Sequence, residues 1–325
     1  MLDQLVAAAA EALPPLLRAY WVLAAGSVVA TLLPVPLPRA FKDAVTLSAC
    51  RGKLWQTKPE ALGRLKDWSL PQAWFLHFYL VGAACNAAVL MAYSCSCCGA
   101  GSELPVAEQA RSILALSLFQ AHLVRRALET ALVMRYPPDA RMHGVAYVFG
   151  LSYYAVVPLS LLPADWIRSV PGLIAAAEPG ASGGGLPACA AAARGTVALL
   201  WHQGPAALAL AAAGAAVFAC GNVLQCASHC ALANLTGRRQ QRSEKTAYRI
   251  PRGLLFEWVS CPHYLAEIII YCGLALVTGL STNALLMLVW VAVNLVLAAG
   301  ATQAWYHARF KTYPAKRRAL VPFVY

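Results

Sequence analysis

The chain has 325 residues, of which 60% are hydrophobic and 12% charged, and its mean hydropathy is +0.57. That composition excludes an ordinary soluble domain and points to lipid as the solvent. Lys and Arg outnumber Asp and Glu by 26 to 14, leaving a net charge of +12; on a multi-span protein such an excess marks topology or an anionic cofactor, and nucleic acid is not an expected partner.

Seven apolar runs lie between charged clusters, near the roughly 20 residues that a ~30 Å hydrocarbon core requires. The first, Tyr20 to Leu33, can extend back through Leu13. It follows Asp3 and Glu11 with no basic n-region or small-residue cleavage site, which predicts a retained anchor rather than a signal peptide. The second, Trp74 to Tyr93, runs into Cys95, Cys97 and Cys98, whose spacing matches no common zinc site; a disulfide or a lipid on these thiols is the alternative to plain burial.

The third run, Ser112 to Met134, carries His122, Arg125, Arg126 and Glu129 within two turns. Glu129 stands four residues after Arg125 and three after Arg126, so structural ion pairs and a functional site are both open. After the fourth run, Val145 to Leu162, the Pro, Gly and Ala stretch from Pro163 to Arg194 reads as a flexible loop. Its glycines at Gly180 to Gly185 follow no strand, which argues against a nucleotide-binding loop.

The fifth run, Thr196 to Leu235, is long enough for one tilted span plus an interfacial turn. Asn222, Gln225 and His229 recur on one of its faces, as packing groups or as site groups. His229 with Cys226 and Cys230 lacks a fourth ligand, so no metal is expected. In the sixth run, Leu265 to Leu280, Glu267 sits one turn after His263 and needs a partner, from basic side chains or from a bound ligand. Ala284 to Tyr306 is the seventh.

Four segments, Pro34 to Leu70, Arg135 to Met142, Gly237 to Trp258 and the tail after Tyr306, hold 20 of the 26 basic residues and alternate onto one side. The positive-inside rule makes that side cytosolic. The expectation is an all-α integral membrane protein of about seven transmembrane helices, N-terminus lumenal, C-terminus cytosolic, with a polar pocket open to the cytosol.

The stretch Tyr248-Arg-Ile-Pro-Arg-Gly-Leu-Leu-Phe-Glu-Trp-Val-Ser-Cys-Pro-His-Tyr-Leu-Ala-Glu267, and the tail with Tyr306, Phe310, Tyr313-Pro314 and Arg317 to Tyr325, resemble the signatures of the steroid 5-alpha reductase family. Gln225, His229, Leu232, Asn234 and Leu235 resemble its polyprenol (polyprenal) reductase branch. So do the sparser Trp74-Phe75 with His77-Phe78-Tyr79, Arg125-Arg126 with Glu129, and His143, Tyr147, Phe149-Gly150-Leu151 and Tyr153-Tyr154. Where the steroid branch has a Gln-Glu pair and a tyrosine, this chain has Arg51-Gly52-Lys53 and Leu123, so the steroid carbonyl clamp is not carried over.

The resemblance implies an endoplasmic-reticulum enzyme that holds NADPH between helices and receives a long-chain isoprenoid from the membrane lipid. Residues 176–325 would form the NADPH side, with Gln225, His229, Tyr248, His263, Glu267, Tyr306 and Arg317 around the cofactor, and residues 1–175 the substrate side. The implied reaction saturates the alpha-isoprene double bond of polyprenol or polyprenal, supplying dolichol for protein N-glycosylation, with Arg126, His143 and Tyr154 as candidate donors to the developing oxyanion. A steroid or other enone substrate is the alternative within the class. A membrane methyltransferase of the isoprenylcysteine type, which shares Pro262-x-Tyr264-x-x-Glu267 and would take S-adenosylmethionine, is the alternative from another class, and a non-enzymatic scaffold is a third.

Overall fold

The computed structural model describes residues 1–49, 54, 63–64, 67–98, 106–137, 139–168, 205–235 and 248–325. Arg51 to Lys53, the glycines Gly180 to Gly185, Thr196 to Gly204 at the start of the fifth run and most of the basic stretch after Gly237 lie outside them.

Each apolar run falls on a helix. These are α1 (Leu2–Leu32), α3 (Phe75–Cys98), α4 (Val106–Leu128), α5 (Gly144–Ser160), α6 (Pro205–Leu235), α7 (Pro262–Val277) and α8 (Thr282–Arg309), with the short amphipathic α2 (Arg39–Ala49) after α1. Among the described residues α1, α3, α6 and α8 are long and apolar enough to cross a membrane, while α5 and α7 are apolar but shorter. Large side chains such as Leu23, Leu132 and Val223 stand exposed on the outside of the bundle, as a lipid-facing surface requires.

The ends of the helices follow local chemistry. Strands β1 (Ser69–Pro71) and β2 (Arg141–His143) pair antiparallel, and His143 then caps α5 by accepting from the Val145 amide at 3.2 Å. Pro262 opens α7, where its missing N–H costs nothing, and Ser281 caps α8 through the Ala284 amide. α4 ends in a π-helical turn, Glu129–Val133, which adds a residue to the turn and rotates Glu129 inward.

Helix packing is set by small residues. α6 and α7 meet backbone to backbone: a Cβ on Gly273 would lie 2.5 Å from the Phe218 nitrogen, and one on Gly221 would lie 2.9 Å from the Ala266 carbonyl oxygen. α1 runs along α8, and α3 packs against both α4 and α5. Fully buried Trp21 donates through Nε1 to Ser160 Oγ at 2.9 Å, tying α1 to α5. The chain after α8 folds back over the start of α7, where the Ser260 and Cys261 amides donate to the Arg318 and Ala319 carbonyls at 2.8 and 3.1 Å.

Gly273→Leu forces a side chain into the backbone of α6, where neither partner can give. The expected result is a destabilisation of about 1–3 kcal/mol with loss of turnover, read as a lowered melting temperature in detergent; an unchanged melting temperature contradicts the close packing.

Candidate active site

The close approach of α6 to α7 brings polar groups together inside an apolar bundle. One turn beyond Gly221, Gln225 reaches across to α7 and donates through Nε2 to Glu267 Oε2, while its Oε1 accepts from Arg125 Nη2. These two contacts fix the orientation of the Gln225 amide, since its NH2 must face the carboxylate. Arg125 also donates from Nε to Asn222 Oδ1 at 2.9 Å and from Nη1 to Glu129.

A second branch starts at the same carboxylate. Arg126 Nη1 donates to Glu129 Oε2 at 2.6 Å, and its Nη2 donates to the Tyr79 hydroxyl at 2.6 Å. His229 Nδ1 lies 2.9 Å from Glu129 Oε2 and 2.7 Å from Arg126 Nη1. One ring nitrogen cannot donate to the first and accept from the second; a carboxylate oxygen can only accept, so a proton on Nδ1 directed at Glu129 is the consistent assignment. Glu129 is therefore met by two guanidiniums and an imidazole, which offsets the cost of burying its charge.

This network forms one wall of a cavity of about 640 Å³. Among the candidates from the sequence, Arg126, Tyr154, Gln225, His229, Tyr248, His263, Glu267 and Tyr306 line it. His143 and Arg317 do not. His143 is buried at the cap of α5 with its ring against Trp68, although its neighbours Met142 and Val145 face the cavity. Arg317 is buried 5.1 Å from the Tyr313 ring centre and donates to the Pro251 carbonyl at 3.1 Å, which braces the 248–261 segment.

The lining combines two kinds of side chain. Gln225, His229, His263, Glu267, Tyr248 and Arg249 offer hydrogen bonds or charge, and Phe78, Phe149, Tyr153 and Trp290 offer aromatic rings. Burial and then the charge of Asp139 push the Tyr248 hydroxyl up to about 12, so it remains a neutral donor at physiological pH. Behind it the Gly253 amide, donating at 2.6 Å, holds the Glu257 carboxyl below its usual range, with Arg317 and Arg252 adding to the effect. Tyr154 also lines the cavity; its ring packs on Tyr79 and Phe78, and its hydroxyl has no hydrogen-bond partner among the described residues. Leu123, at the place of the steroid-branch tyrosine, is fully buried against α3 beside Gly82 and offers no polar group.

Some lining residues escaped the sequence reading. Asn294 and Thr302 join Tyr306 along one face of α8, eight and four residues apart, and that spacing of polar groups in an apolar run was the available signal. The Tyr79 bond to Arg126, and the Tyr153 bond to Tyr271, had no such signal because each joins helices far apart in sequence.

A family model for 3-oxo-5-alpha-steroid 4-dehydrogenase matches residues 200–325. Over 94% of its length the chain is 32% identical to Polyprenal reductase 1 of Arabidopsis thaliana, covering 95% of that protein. It is 30% identical to Polyprenal reductase 2 of the same plant over the same shares. Polyprenal reductase of Xenopus tropicalis is 30% identical, with 80% of this chain and 82% of that protein covered.

Proposed function

The chain belongs to the polyprenal reductase family, and on that premise we propose that it is an NADPH-dependent reductase that saturates the alpha-isoprene double bond of a polyprenal in the pathway to dolichol. The observation that carries this reading is a cavity whose lining joins charged and hydrogen-bonding groups to aromatic rings. A reductase of this kind needs both, one for a dinucleotide and one for an isoprenoid head.

Bound there, NADPH would supply a hydride. Glu267 is suited to hold a carboxamide: Gln225 occupies Oε2, and Oε1 has no protein partner among the described residues. Tyr248 and Arg249, with the basic side chains around Arg252, are suited to the phosphates, where a guanidinium fork matches phosphate oxygens. Arg317 would act from behind, holding the 248–261 segment in place, and Tyr306, His229 and His263 would complete the walls.

An isolated alkene does not accept a hydride, whereas the double bond of an enal does, because charge can move to the carbonyl oxygen. The enzyme therefore needs a donor at that oxygen. The free Tyr154 hydroxyl fits this task, and Arg126 reinforces it through Tyr79, whose ring packs edge-on against Tyr154. His143, capping α5 away from the lining, is the weakest of the three donors named from the sequence. Ligand sites span about 300–1,000 Å³, so a cavity of 640 Å³ holds the reactive head and leaves a long isoprenoid tail in lipid.

The topology proposed with this function is seven crossings, with the polar groups of the cavity on the cytosolic side where the basic segments gather, and residence in the endoplasmic reticulum. Purified protein with NADPH should reduce polyprenal and leave polyprenol untouched. Reduction of the alcohol without prior oxidation contradicts the aldehyde assignment; reduction of a steroid enone alone places the chain with the other branch.

A further inference from the structure

At the opposite end of the bundle a second pocket, of about 310 Å³, lies between the start of α4, the end of α5 and the α7–α8 turn. Arg111 on this side and Arg126 in the reductive cavity are fifteen positions apart on α4, about 22 Å at 1.5 Å per residue. Some of its polar groups serve the fold, as Ser281 does at the cap of α8, but others do not. Asn283 is 5% exposed, and its Oδ1 has no hydrogen-bond partner. Such a group costs free energy unless something fills the pocket and donates to it.

Around Asn283 the chemistry is that of an anion site with a counter-charge beside it. The amides of Thr282 and Asn283, in the first turn of α8, have no helical carbonyl to accept them and carry the positive end of the helix dipole. Arg18 and Arg111 reach the same space and form no ion pair among the described residues. Gly279, at φ +69, leaves room for Arg111, whose Nη1 would lie 2.7 Å from a Cβ there. The pocket also holds two carboxylates, Glu108 and Asp165, of which Asp165 is paired with Arg168.

We propose that this pocket binds the headgroup of a zwitterionic phospholipid bearing an ammonium group. The phosphate lies between Arg18, Arg111 and the start of α8, and the ammonium donates to Asn283 Oδ1 and faces Glu108. A purely anionic headgroup would meet Glu108 with like charge and offer no donor to Asn283 Oδ1.

Native mass spectrometry of the full-length protein, released from detergent with phosphatidylethanolamine, phosphatidylglycerol or inorganic phosphate, tests this. Retained phosphatidylethanolamine is expected, with occupancy about tenfold lower in Arg18→Ala and Arg111→Ala, since each removes a charged hydrogen bond. Asn283→Ala should erase the preference over phosphatidylglycerol, and polyprenal turnover of Arg18→Ala, an exposed position, should stay at the wild-type level. Equal lipid retention by wild type and both arginine variants overturns the site. Equal retention of the two lipids by wild type overturns the ammonium assignment, and a phosphate adduct with no lipid adduct makes it a free-anion site instead.

Discussion

Glu267→Gln is expected to weaken NADPH binding by about 10- to 100-fold and to remove nearly all turnover. The side chain keeps its shape, so the fold should survive and the loss is chemical. In the native arrangement Gln225 donates to one carboxylate oxygen and is itself held by Arg125, which leaves the second oxygen to accept from a ligand. A charge-assisted hydrogen bond contributes about 1.5–3 kcal/mol, and a glutamine in its place presents an NH2 group either to the Gln225 NH2 or to the ligand. Titration of NADPH by intrinsic tryptophan fluorescence reads the affinity, and single-turnover reduction reads the chemistry. If both are unchanged, Glu267 is only a packing partner of Gln225.

The second large effect is expected from Tyr154→Phe, with a kcat loss of about 10²-fold or more and cofactor affinity held close to the wild-type value. Removing only the hydroxyl leaves the ring contacts with Phe78, Tyr79 and Tyr153 intact. A donor that acts on charge formed in the transition state lowers kcat and kcat/KM together; a group that merely binds the substrate raises KM. Tyr79→Phe supplies the contrast, since it breaks the link to Arg126 without touching Tyr154, and a smaller loss of kcat is expected. Wild-type kcat in Tyr154→Phe would move the donor role to Arg126.

Much of this arrangement was legible in the sequence because lipid makes polar residues informative. A carboxylate or an arginine inside an apolar run must be matched, and Arg125, Arg126 and Glu129 announced their pairing by spacing alone. The runs themselves were legible from length and charge, although α1 begins well before Tyr20 and α4 ends in a π-helical turn that no periodicity predicts. Partners across helices were harder to read. That Glu267 meets Gln225 depends on Gly214, Gly221 and Gly273 letting α6 and α7 touch, and three glycines in hydrophobic helices do not say which helix they admit. His143 and Arg317 are a contrasting pair: both are buried polar residues near the site in sequence, and the structure places one at a helix cap and the other against a loop rather than on the cavity lining.

The central claim is that this cavity passes a hydride to the alpha-isoprene unit of a polyprenal, and a labelled cofactor tests it most directly. Incubation of the purified protein with polyprenal and NADPH deuterated at the transferring position of the nicotinamide, followed by mass spectrometry of the lipid, should give a saturated aldehyde carrying one deuterium on the carbon beta to the carbonyl, and no such product with Glu267→Gln. Unlabelled saturated product, or an untouched enal with intact cofactor, would contradict it.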